Sequence, residues 1–89
     1  MATYSDSVVS TQTGTGTYTV PAGKFARVSI RVDFAGGNEN TISIAGVSNV
    51  FDLGASTSVL IAEVILASGE VLNPGSATIS WTALEYSNP

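Results

Sequence analysis

Side chains able to do chemistry are scarce in this chain, which has neither histidine nor cysteine among its 89 residues. Without an imidazole there is no Ser–His nucleophile, and without a thiol there is no cysteine catalysis, no disulfide and little to attract zinc. A Ser–Lys arrangement would have to use Lys24, the single lysine. It follows a Pro-Ala-Gly turn, where a solvated surface charge is the simpler reading.

Seven acidic residues remain. Glu63 stands out because it interrupts the apolar run VLIAEVIL. A buried unpaired carboxylate costs several kcal/mol, so the residue is expected on an exposed strand face or in an ion pair with Arg27 or Arg31. Asp33, Asn38, Glu39 and Asn40 bracket a glycine loop and offer hard oxygen atoms to calcium. Their spacing departs from the EF-hand, however, and Gly-Asn loops commonly serve only to turn a chain. No metal or cofactor is expected. Gly14-Thr15-Gly16 lacks the lysine and the strand-to-helix setting of a phosphate loop.

Two surface signals bear on recognition. Thr11, Thr13, Thr15, Thr17 and Thr19 alternate in a register that could present a row of hydroxyls, although two glycines break it. Trp81, Tyr4, Tyr18 and Tyr86 could stack on a sugar ring; the competing reading places Trp81 in the core or in a seam between subunits, where aromatic burial dominates.

The elements that must position these residues are strands. In KFARVSIRVDF, residues Ala26, Val28, Ile30, Val32 and Phe34 share one face and Arg27, Ser29, Arg31 and Asp33 the other, the period-2 signature of a half-buried strand. Pro21-Ala22-Gly23 turns the chain into it from a short strand at Thr17–Val20. The loop Ala35–Asn40 predicts a hairpin to a strand at 41–45, followed by a turn at 46–49 and by Phe51 plugging one end of the core. Between 57 and 67, β-branched enrichment favours a strand over a short helix capped at Ser56–Ser58. Turns at 68–70 and 73–75 lead to a last strand, with Ala77, Ile79, Trp81 and Ala83 on one face and Thr78, Ser80, Thr82, Leu84 and Tyr86 on the other. Six to eight short strands with turns between them predict an all-β domain: a compact antiparallel β-sandwich, jelly-roll-like or another Greek key. Residues 1–12 read as an N-terminal arm or edge strand and 13–89 as the single sandwich domain.

Composition narrows the partners. Charged residues make up only 11% against a usual quarter or so, leaving a surface of Ser, Thr, Asn and Gly suited to a permanent assembly. A net charge of −4 without a basic cluster argues against nucleic acid. No apolar window approaches a membrane span and the N-terminus lacks a signal-peptide pattern, so a chain made soluble in a cytoplasm is expected. A domain this small buries only about 60–65% of its unfolded surface, and oligomerisation or docking would supply the rest.

The segments TYTVPAGKFARVSI, NTISIAG and GEVLNPGSATISWTALEYSNP resemble small β-rich virion proteins of tailed bacteriophages. The resemblance implies a non-enzymatic role as a trimeric capsid decoration, or cement, protein on the capsid exterior, made in the host bacterial cytoplasm and bound to the major capsid protein. The alternative it leaves is a tail-fibre, baseplate or other carbohydrate- or receptor-binding module. The expected contact residues are Tyr4, Val8 and Val9 in the arm, with Trp81, Leu84 and Tyr86 near the C-terminal edge.

Overall fold

In a computed structural model of the chain, residues 8–33, 38–48 and 59–87 are described. They form eight strands: β1 (Ser10–Gly14), β2 (Tyr18–Thr19), β3 (Lys24–Asp33), β4 (Ser43–Ile44), β5 (Val47–Ser48), β6 (Val59–Leu66), β7 (Val71–Asn73) and β8 (Thr78–Ser87). One sheet has the order β1-β8-β3-β6 and the other β2-β7-β4-β5, with every pair antiparallel.

This order has a simple origin. Strands β1 and β8, β2 and β7, β3 and β6, and β4 and β5 are partners, as in one long hairpin folded at the β4–β5 turn. Rolling that hairpin so that β8 also meets β3 and β7 also meets β4 gives two facing sheets, which is the jelly roll. The expected all-β sandwich is therefore observed, with the jelly-roll connectivity that sequence periodicity left open.

Alternation dictates the core. Ala26, Val28, Ile30 and Val32 from β3 and Ile79, Trp81 and Ala83 from β8 point inward, against Tyr18, Val20, Ile42 and Leu72 from the second sheet. The segment at 57–67 is a strand wherever it is described, from Val59 to Leu66. At the fold of the hairpin, Ala45 and Gly46 both have positive φ, 52° and 82°, which makes a two-residue primed turn whose twist matches the flanking strands.

Two local expectations are corrected. The loop after β3 does not close a hairpin with 41–45. Both edges of β3 are already occupied by β6 and β8, so the chain crosses through a short 3-10 turn, Glu39–Thr41, into the other sheet. Within the predicted turn at 46–49, Val47 and Ser48 are strand β5, because the reversal lies one residue earlier, at Ala45-Gly46, and Asn49 lies outside the described residues. The proposed Phe51 plug lies outside the described residues.

Trp81 fixes how closely β1 can approach. Its ring sits under Gly14, where an added Cβ would lie 2.8 Å from Cζ2, and its indole nitrogen donates to the Gly16 carbonyl at 2.7 Å. The glycine is thus required by the space above the ring. Gly14→Ala is expected to cost about 1–3 kcal/mol by overpacking, read as a lower midpoint in urea unfolding with an unchanged slope.

Candidate functional site

The first sheet has an outer face on which side chains line up in rows across β1, β8, β3 and β6. Strand register places Thr11, Leu84, Arg27 and Ile65 in one row and Thr13, Thr82, Ser29 and Glu63 in the next. The third row is Ser80, Arg31 and Ile61. Toward the other end Phe25 and Tyr86 stack, with ring centroids 5.1 Å apart and planes at 9°.

An open groove of about 470 Å³ crosses this face where β1 ends. The hydroxyl-bearing Thr13, Thr15, Ser29, Ser80 and Thr82 line it together with Arg31 and Ile61. Its apolar border is unusual. Ile61 and Ile65 are 73% and 70% exposed, and Val59 beside them is 44% exposed, all on the outward side of edge strand β6. An outward-pointing β-branched stripe of this kind is the feature expected of a contact surface rather than of a solvated sheet.

Glu63 lies within that stripe and is exposed, paired with Arg27 at 2.9 Å. This is one of the two partnerships anticipated for it. The hydrogen bond and charge of Glu63, with a further bond to Tyr86, raise the Arg27 pKa above its ordinary value.

The buried acid is a different one. Glu85 is 1% exposed and continues the inward parity of Ile79, Trp81 and Ala83. Its Oε1 accepts from Ser10 Oγ at 2.5 Å, and its Oε2 accepts from the Tyr18 hydroxyl at 2.5 Å. Lys24 Nζ lies 3.6 Å from Oε1 and donates to Ser10 Oγ at 3.2 Å. Burial pushes the carboxyl up, but the bonds from Ser10 and Tyr18 and the Lys24 charge outweigh it and hold the Glu85 pKa below the ordinary value. Burial, followed by the bond to Glu85 and its charge, raises the Tyr18 pKa, so the phenol stays a donor. Strand parity extended two residues past Ala83 was the signal that could have found this cluster.

The other expected site residues are dispersed. Val8 and Val9 are exposed, and the Val9 amide donates to the Glu85 carbonyl at 2.8 Å, extending the β1–β8 pairing. Tyr4 lies outside the described residues. Leu84 and Tyr86 are half-buried on the outer face, whereas Trp81 is 8% exposed and tilted against Tyr18 at 4.7 Å within the core. The threonine row splits between the sheets: Thr11 and Thr13 belong to β1 and Thr19 to β2. Among the described residues no three acidic side chains gather where they could hold a metal ion.

No family model matches the chain, and neither curated proteins nor solved structures give a match. The functional reading therefore rests on the site itself and on the sequence resemblance.

Two consequences of the Glu85 cluster can be measured. Because folding lowers the Glu85 pKa, its stabilisation is fully present above the ordinary glutamate value of 4.5 and is lost as pH falls through the lower folded value. In Glu85→Gln that part of the acid-side loss is expected to disappear from urea midpoints recorded from neutral to strongly acidic pH. Tyr18→Phe removes one donor to a buried charge and is expected to cost about 2 kcal/mol at neutral pH, read from the same curves.

Proposed function

We propose that this protein is a non-enzymatic virion structural protein, a capsid decoration protein that binds the outside of a phage head and stabilises it through the major capsid protein. The observation that carries the docking part is the outer face of the β1-β8-β3-β6 sheet, where Ile61, Ile65 and Val59 stand exposed beside Leu84 and the Phe25–Tyr86 stack. A face of this composition gains free energy by being covered, at roughly 25 cal/mol for each Å² of apolar area removed from water. The resemblance of the YTVPAGK and WTALEY segments to phage virion proteins supplies the identity of the body that covers it.

The second reading is a tail-fibre, baseplate or other carbohydrate-binding module, and the hydroxyl-lined groove with Arg31 favours it. The core position of Trp81 leaves that ring little surface for stacking on a sugar. The assembled form that the resemblance implies is a trimer.

Capsid binding separates the readings. Purified heads lacking the protein should take it up in a sedimentation assay, and Leu84→Lys, on the outer face two strands from β6, should weaken uptake at least tenfold while leaving the circular dichroism spectrum unchanged. Wild-type protein that leaves heads bare but gives hits on a glycan array would transfer the function to the carbohydrate-binding module.

A further inference from the structure

We infer that the outer edge of β6 is a self-complementary interface, at which two copies of this chain pair antiparallel across a two-fold axis and join their first sheets into one of eight strands. This inference concerns the chain alone and does not depend on the virion reading.

The edge is the starting point. β6 is eight residues long and pairs on one side with β3; no described strand covers its other side. An uncovered edge presents a row of backbone donors and acceptors, and proteins that stay monomeric blunt such an edge with Lys, Pro, a bulge or a very short strand. The β6 sequence, VLIAEVIL, has no lysine and no proline, and its pairing with β3 runs without interruption from Val59 to Leu66. Its outward side chains are Val59, Ile61, Glu63 and Ile65.

Symmetry and parity then restrict the register. A two-fold axis perpendicular to the sheet keeps outward residues opposite outward residues, so the axis must pass beside a residue rather than between two. With the axis at Glu63, two carboxylates would face each other, which is unfavourable for a directly opposed pair. With the axis at Ala62, Val59 opposes the second copy's Ile65, and Ile61 opposes its Glu63. This register sets Val59 against Ile65 at both ends of the paired stretch, places each Ile61 beside a Glu63, and keeps the two acids apart.

Charge supplies the independent argument. Arg31 makes no ion pair among the described residues, and it lies beside Ile61 in the register of β3 and β6. In the Ala62 register the row continues from Arg31 through Ile61 to Glu63 of the second copy. Strands are spaced about 4.8 Å apart, so Arg31 and that glutamate stand about 10 Å apart at the backbone, within the combined reach of the two side chains. Each Glu63 would then lie between its own Arg27, at 2.9 Å, and the other copy's Arg31. Arg31, which has no ion pair among the described residues of the single chain, thus acquires a carboxylate partner in the dimer.

Light scattering over a micromolar-to-millimolar dilution series tests the pairing. The expected species has twice the 9.1 kDa chain mass at the concentrated end. Ile61→Lys and Ile65→Lys, at positions that are solvent-exposed in the single chain, should weaken the dimer on the order of 100-fold without altering the circular dichroism spectrum. A register readout follows from the absence of native cysteine: Ala62→Cys should crosslink to itself under mild oxidation, and Ile65→Cys should not. A monomer at every concentration, a threefold mass, a dimer insensitive to both lysine variants, or crosslinking through position 65 rather than 62 would each overturn the inference.

Discussion

The carboxylate of Glu85 is the constraint around which this small domain is arranged. A charge with 1% exposure survives only if its lone pairs are taken up and its charge is balanced, and the partners come from different parts of the roll: Ser10 in β1 and Tyr18 in β2 donate to it, and Lys24 at the start of β3 supplies the positive charge. Tyr18 belongs to one sheet and Glu85 to the other, so the same group that must be satisfied also ties the sheets together. Apolar burial holds the sheets face to face without direction. The directional bonds at Glu85 define which residues meet.

Much of the architecture was legible because it depends on local alternation. Residues 24–33 and 78–87 show clean period-2 burial, and the turns at Gly23, Gly69 and Gly75 carry the positive φ that their residue type permits. What was not legible was which strand lies beside which. The hairpin expected across 35–40 failed because a loop sequence reports that the chain reverses, not that the reversing strands share a sheet. Glu85 was missed for a related reason. Its chemical type argues for the surface and its parity for the core, and only three partners distant in sequence decide between them. Glu63 was read more closely because its pairing with Arg27 follows from two neighbouring exposed faces.

The two sheets divide the labour. The second sheet, β2-β7-β4-β5, is built of strands two or three residues long and contributes mainly a lid of Tyr18, Ile42 and Leu72 over the core. The first has strands of up to ten residues and carries the groove, the apolar stripe and both arginines.

The rolled connectivity also orders events in time. Ser10 and Glu85, which share a hydrogen bond and a place in the ladder, are 75 residues apart, and among the strand pairs only β4 with β5 joins neighbours in sequence. A ribosome must therefore add β8 before β1 meets its strand partner, and contacts this remote fold slowly compared with local ones. Until β8 emerges, β3 has β6 on one edge and nothing from β8 on the other, and β1 has no strand partner among the described residues, so the first sheet is completed late.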